Sequence, residues 1–447
     1  METPNKGDSR WGSLFKNDLQ GMLLPILLIT IIGSVNIFSA TYISSIYENT
    51  GLLGYFLKHM TFLLLSMAVG VILYRYDYRQ LQKPHMLQRI MIVTLIGMIL
   101  VLVIGAVING ARRWIVIGPV SIQPSEFAKL AALIWTAAKL STMRKWGKPR
   151  HINPLINLQG YFSERISYML PMLIWPTIFA GLTILQPDMG TTVLVFGFSF
   201  VLIYLAGFDG KFFGGAFVIA GFLGFIAARM SPYRWERIQS WFDPWPHAQD
   251  MGYQTVQGLL AVGSGGILGE GFMQGTSKYF YLPEAHTDFA FAVWAQEMGF
   301  IGAVFVVVLI AAFTYFGFRI SNKARDEFGK WLAMGITLLI SGQALFNIAM
   351  VCGIMPVTGV PLPFVSYGGS SLLMNFMAIG LLASIGRRNV EGVKPVGTAE
   401  PLPSLREETQ SRFKPAATTR TNKTNMPGPF KPRSSKKSTR RQTKFER

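Results

Sequence analysis

A carboxylate placed directly before a long apolar run needs a chemical reason, and Asp288 is such a residue. It closes the stretch Leu282-Pro283-Glu284-Ala285-His286-Thr287-Asp288-Phe289. The apolar residues that follow put it at the mouth of a membrane body, where a charge is costly unless used. Partial desolvation would raise its pKa and make it a better general base near neutral pH. The plainer alternative is that Thr287 or Asp288 caps the following helix. Spacing alone leaves these readings even.

Two other segments combine cations, glycines and aromatics. One is Asn109-Gly110-Ala111-Arg112-Arg113-Trp114, leading to Gln123-Pro124-Ser125-Glu126-Phe127-Ala128-Lys129. The other, about 230–288, carries Arg234, Arg237 and the run Gly263-Ser264-Gly265-Gly266. Arginine offers phosphate oxygens a planar fork of donors, and consecutive glycines let backbone amides converge on an anion. Together these suit a diphosphate. Interfacial anchoring for the arginines and an ordinary tight turn for the glycines are the plainer alternatives. Glu126 and Lys129, three apart on one helical face, are expected to form a structural ion pair inside the bundle.

The segment Met355 to Ser371 holds Pro356, Pro361 and Pro363, Gly359, Gly368 and Gly369, with Ser366 and Tyr367 between them. Such a sequence cannot continue a helix. Irregular backbone at membrane depth persists only against protein or a wet cavity, so this segment is expected to line the same cavity as Asp288.

The elements that position these residues follow from composition. Half of the 447 residues are hydrophobic and 15% are charged, a balance that needs lipid to cover the surface. Apolar runs near 21–41, 54–74, 88–108, 125–143, 167–186, 190–207, 211–229, 289–317, 332–351 and 371–386 are long enough to span a core of roughly 30 Å. The expectation is an all-α integral membrane protein with about ten transmembrane helices and a long outer loop, about 230–288, between spans seven and eight. The first run is too long, and starts too far into the chain, for a cleaved signal.

Basic residues follow span two (Arg75, Arg79, Lys83), span four (Arg144, Lys145, Lys148, Arg150, Arg165) and span eight (Arg319, Lys323, Arg325, Lys330). Residues 42–53 and 352–370 have none. The basic connections are retained inside, which puts both termini in the cytoplasm: 1–20 as a short N-terminus, 21–390 as the membrane domain and 391–447 as a disordered basic tail. From Arg387 onward, 16 Lys or Arg face five Glu, which gives +11 of the net charge of +19. That charge suits anionic lipid or a cytoplasmic partner better than nucleic acid. The single Cys352 excludes an intramolecular disulfide.

The blocks Asn109 to Trp114, Gln123 to Lys129, Gln186-Pro187-Asp188 with Gly190-Thr191, Gly252 to Gly266, Leu282 to Phe289 and Pro361 to Ser371 resemble, in order, the SEDS family, which includes FtsW, RodA and SpoVE. The resemblance implies a peptidoglycan glycosyltransferase. Such an enzyme polymerises lipid II, an undecaprenyl-diphosphate-linked disaccharide pentapeptide, at the outer face of the bacterial cytoplasmic membrane. It implies Asp288 as the base that deprotonates the acceptor 4-hydroxyl, with inversion at the anomeric carbon. Substrate contacts are then expected at Arg112, Arg113, Arg234, Arg237, Gly263, Ser264, Gly265, Gly266, Glu284, His286, Thr287, Ser366, Tyr367, Gly368 and Gly369. Supporting roles fall to Gln123, Ser125, Glu126, Lys129, Gln186 and Asp188. A divalent cation, Mg2+ or Mn2+, is the alternative to arginine for stabilising the leaving diphosphate. A class B penicillin-binding protein is the expected partner.

Features of both branches are present: Pro356 to Pro363 and Gly275-Thr276 look like RodA, whereas Tyr281 to His286 look like FtsW and SpoVE, with a slight lean to the division type. Gln296 stands where the family pattern leads one to expect an acidic residue, and Gly258 where serine is usual. A lipid II flippase and a non-catalytic scaffold are the competing readings.

Overall fold

In the computed structural model, described residues are 17–391 except 48–50, 52, 109, 119, 144–156, 209, 231 and 280. Residues 392–447 of the basic tail and residues 144–156 of the connection after span four lie outside them, whereas Arg165, expected in that connection, falls inside a helix over 158–185 and is buried. The helices are α1 (Asp18–Tyr47), α2 (Gly54–Arg75), α3 (Pro84–Ile104), α4 (Pro124–Met143), α5 (Leu158–Leu185), α6 (Met189–Leu205), α7 (Gly210–Arg229), α8 (Pro232–Phe242), α9 (Tyr253–Ser264), α10 (Ala290–Asn322), α11 (Glu327–Val351) and α12 (Gly369–Glu391). Seven of them, α1, α2, α3, α5, α10, α11 and α12, are long and apolar enough to cross a bilayer. The apolar α6 and the first half of α7 are shorter, and α4 carries Glu126, Lys129 and Lys139.

The core is shared by facing helices. α1 packs on α10, α2 on α12, and α11 on both α10 and α4, with Met22, Phe313, Leu332, Met374 and Leu382 fully buried between them. Outward side chains such as Leu64, Val93, Val103 and Phe217 are exposed, as a lipid-facing surface requires. Pro176 inside α5 cannot donate to the carbonyl of Met172, and Thr136 of α4 turns its hydroxyl toward that oxygen at 3.5 Å.

Two features depart from the expectation. Residues 106–122 form a three-stranded antiparallel sheet, β1 (Ala106–Ile108), β2 (Ala111–Ile117) and β3 (Val120–Ile122). Valine, isoleucine and tryptophan favour extended backbone there, and a turn at Gly110, φ +75°, reverses the chain. The run read as a span to 108 therefore stops at Ile104. The long outer loop is also not irregular throughout, since it contains α8 and α9.

α10 is kinked where it meets this loop. Gly299 has φ +64° and ψ −167°, outside the range open to most residues. The carbonyls of Gln296 and Glu297 accept from the amides of Glu270 and Gly271, and the amide of Phe300 donates to Gly266 at 2.9 Å. The loop thereby satisfies backbone groups that the kink removes from the helix.

Candidate active site

Asp288 sits in a turn just before α10. The amides of Thr287 and Phe289 both donate to the carbonyl of Glu284, at 3.1 and 3.2 Å, and Glu284 adopts φ +53°. The hydroxyl of Thr287 donates to the Glu284 carboxylate at 2.7 Å. The N-cap of α10 is Phe289, with no side-chain capping bond. The capping alternative for Thr287 and Asp288 is therefore corrected: neither side chain caps the helix.

The carboxyl of Asp288 is half-buried, and its pKa is pushed up to about 7. Burial is the largest cause, followed by the charges of Glu284 and Asp188; Arg113 opposes the shift, and Glu126 adds to it. Asp188, Arg113 and Glu126, far from Asp288 in sequence, thus all act on its carboxyl.

The Pro-rich segment forms the opposite wall. Pro356 and Gly359 are exposed, whereas Val360, Leu362, Phe364 and Val365 are buried, as expected for irregular backbone packed against protein. The segment is wedged between helices at two glycines. A Cβ at Gly33 of α1 would lie 2.1 Å from the Phe364 carbonyl, and one at Gly190 of α6 would lie 2.6 Å from that of Thr358. Asn347 of α11 donates to the carbonyls of both Asp288 and Val360, each at 2.7 Å. One turn earlier, Gln343 donates to the carbonyl of Pro361 at 2.9 Å.

Gln343 also accepts from Lys129, whose ammonium lies 2.8 Å from Glu126. This ion pair is almost wholly buried, at 1% and 3% side-chain exposure, which bears out the expected structural pairing. Nearby, the amide nitrogen of Gln123 donates to Asp188 at 3.3 Å and to Ser125 at 3.2 Å, and Asp188 caps α6 by accepting from Thr191. Gln186 donates to the carbonyl of Met98 at 3.2 Å.

The candidate ligands of the diphosphate separate. Arg113 donates through Nε to the carbonyl of Gln186 at 3.1 Å and through Nη2 to that of Pro187, which leaves three of its five N–H donors and its charge close enough to act on Asp288. Arg112 is exposed and leans on the carbonyl end of α3, at 3.4 Å from Leu102 and Val103. Arg237 is exposed on α8; the side chain of Arg234 lies outside the described residues.

Gly263 and Ser264 end α9, so the expected anion nest is corrected: a helix C-terminus presents carbonyls, not amides. Gly265 serves close packing, because a Cβ there would fall 2.2 Å from the carbonyl of Ala295, and the amide of Gly266 turns back to Gly263. Ser366 is buried, and its hydroxyl accepts from the amide of Leu362 at 2.8 Å. Tyr367 remains half-buried at the mouth, its ring against Tyr55, His59 and His286, and its amide donates to the carbonyl of His286 at 2.8 Å. Gly368 and Gly369 lead into the N-terminus of α12.

Sequence reasoning missed a second buried ion pair. Lys278 in the loop lies 2.8 Å from Glu297 of α10, and Ser39 of α1 donates to the same carboxylate at 2.6 Å. It also missed the reason for both family departures. The amide oxygen of Gln296 accepts from Ser277, and its nitrogen directs two hydrogens toward oxygens of Ser264, Glu270 and Thr276 at 3.0, 3.1 and 3.1 Å, donation that an ionised carboxylate could not make. At Gly258, a Cβ would lie 2.5 Å from the Phe289 ring.

The sequence matches the cell cycle protein family of FtsW, RodA and SpoVE over residues 20–391. The chain belongs to this family. It is 34% identical over 374 residues to stage V sporulation protein E of Bacillus subtilis (strain 168), an alignment that covers 83% of this chain and 97% of the relative. It is 31% identical to the probable peptidoglycan glycosyltransferase FtsW of the same organism, covering 81% and 89%. Among solved structures, a chain from a peptidoglycan synthase complex that coordinates polymerization and crosslinking matches with a TM-score of 0.65 at 26% identity, covering 83% of this chain and 98% of that one. Thermus thermophilus RodA matches with a TM-score of 0.57 at 26% identity, covering 85% and 99%. This SEDS chain is thus an all-α, multi-pass membrane protein.

Proposed function

We propose that this SEDS protein is a peptidoglycan glycosyltransferase that polymerises lipid II, with Asp288 as its base. The observation that carries the reading is the carboxyl of Asp288, half-buried at the start of α10 against the Pro-rich wall, with a pKa of about 7. A base at that value is half ionised at neutral pH, close to the optimum for proton transfer. Asp288 takes the proton of the acceptor 4-hydroxyl as its oxygen bonds to the anomeric carbon of the growing chain. The bond from that carbon to the diphosphate breaks on the opposite face, so configuration inverts and undecaprenyl diphosphate departs. The remaining donors of Arg113 supply positive charge for the leaving group. Among the described residues, no group of three or more His, Cys, Asp or Glu is arranged to hold Mg2+ or Mn2+, and no step is assigned to a metal.

The buried charges Glu126 and Lys129 of α4 and Glu297 of α10 are locked into the Glu126–Lys129–Gln343 and Lys278–Glu297–Ser39 clusters. This supports an enzyme acting at one face over a flippase with a wet polar path. The protein resides in the bacterial cytoplasmic membrane with both termini inside. In a Cys352→Ala background, a cysteine at exposed Gly51 should react with an impermeant maleimide added to spheroplasts; labelling only after lysis would reverse the orientation. Similarity to FtsW and SpoVE supports a division or sporulation role over elongation, and similarity to a complex that coordinates polymerization with crosslinking supports a class B penicillin-binding protein as partner. Purified protein with that partner should convert labelled lipid II into muramidase-sensitive β-linked strands. Strands of retained anomeric configuration would refute the inverting step, and absence of any polymer would favour the scaffold or flippase.

A further inference from the structure

We infer that Asn347, near the C-terminal end of α11, is the positioning residue that sets the Asp288 carboxyl against the Pro-rich wall. The inference rests on Asp288 being the base. Asn347 is fully buried, and its single amide nitrogen lies 2.7 Å from two carbonyls, those of Asp288 and Val360. Both neighbours are acceptors only, so nitrogen rather than oxygen must face them, and its two hydrogens are both engaged.

The two carbonyls belong to segments that share no regular structure. Asp288 precedes α10, and Val360 lies in the irregular stretch between α11 and α12. The amide nitrogen that bonds both carbonyls belongs to a fully buried side chain, so one residue both satisfies them and ties the segments together. One residue before Val360, Gly359 stands against the carboxylate, its Cβ position 3.2 Å from Asp288 Oδ2. The clamp therefore holds the base at the distance that keeps its carboxyl half out of water. Gln343, four residues earlier on the same face, fastens Pro361 and is itself held by Lys129. The oxygen of Asn347 has no hydrogen-bond partner among the described residues. Packing alone gives no reason for a buried amide with an idle acceptor, and an apolar residue would avoid that penalty.

The test compares wild type, Asn347→Ala, Asn347→Gln and Asp288→Asn, each purified with the class B partner and checked for monodispersity. For folded Asn347→Ala, kcat should fall about 100-fold, the loss expected when a reacting group is displaced by about 1 Å, while KM for lipid II stays within about twofold. The acid limb of the kcat profile should move down by about one pH unit or more as Asp288 gains water. Labelling of Asp288 at pH 6 by a hydrophobic carbodiimide, which reacts with the protonated carboxyl, should fall in parallel and needs no turnover. Asn347→Gln keeps the two-hydrogen donor and should regain about tenfold over Ala, the worth of one hydrogen bond. Unchanged kcat, acid limb and labelling in folded Asn347→Ala would overturn the inference. So would failure of both Asn347 variants to fold, since Asn347 would then be a packing residue. An active Asp288→Asn would instead overturn the choice of base, whatever the Asn347 variants do.

Discussion

Gly359 and Asp288 stand close enough that a methyl group on Gly359 would lie 3.2 Å from Asp288 Oδ2. Gly359 has φ +73°, a backbone region costing a side chain of L configuration about 1–2 kcal/mol. Gly359→Ala should therefore lower the melting temperature slightly and turnover strongly, by about tenfold or more as the base is pushed from its place. Parallel thermal denaturation and polymerisation assays separate the effects. A variant equally active and slightly less stable would show that the contact does not matter to catalysis.

The pKa of Asp288 gives a pH dependence with a definite sign. Polymerisation should rise with pH and reach half its plateau near the value of about 7, because the base acts only when ionised. Stability runs the other way. The folded value lies above the ordinary 3.8, so the stabilising contribution of this proton is fully present below about pH 4 and is lost as pH rises through 7. Asp288→Asn should thus raise the melting temperature at pH 8 by more than at pH 4. An equal effect at both would mean that the carboxyl is not held protonated by the fold.

Lys278 and Glu297 are exposed by only 1% and 2%. Lys278→Met leaves a buried carboxylate with Ser39 as its remaining hydrogen-bond donor and should cost about 3–5 kcal/mol. Adding Glu297→Met should recover much of that loss, as read by thermal unfolding. If the double variant were no better than the single one, the pair would matter for more than its charge balance.

Arg113 fastens the carbonyls of the Gln186–Pro187 turn, beside Asp188. Arg113→Lys keeps the charge but loses the fork. It should lower kcat/KM for lipid II by about tenfold, the effect of losing one good hydrogen bond. Arg112→Lys, exposed in β2 beside the carbonyl end of α3, should change little. Equal losses in the two would argue against the separation of their roles.

Much of this arrangement was legible in the sequence because it depends on local signals. The apolar runs matched the helices closely, the Pro-rich stretch lies irregular and packed against protein, and Glu126 and Lys129 pair as their spacing indicated. Residues 106–122 were missed because strands of three to seven residues, AVI and ARRWIVI without apolar/polar alternation, do not stand out from a neighbouring apolar span. Gly263 to Gly266 misled because the same small residues serve an anion nest or a close approach, and only the facing Ala295 carbonyl decides. Lys278 gave no local sign, since its partner lies 19 residues away. Asn347 and Gln343 did leave a trace: two amides four apart in an apolar span share one face and need partners.

The central claim is that Asp288 is the base of a lipid II polymerase, and one comparison tests it most directly. Wild type and Asp288→Asn, each purified with a class B penicillin-binding protein and shown to be folded, are given lipid II and their glycan products sized. The account predicts long strands from wild type and none from Asp288→Asn. Strands of equal length and rate from both would contradict it and place the base elsewhere.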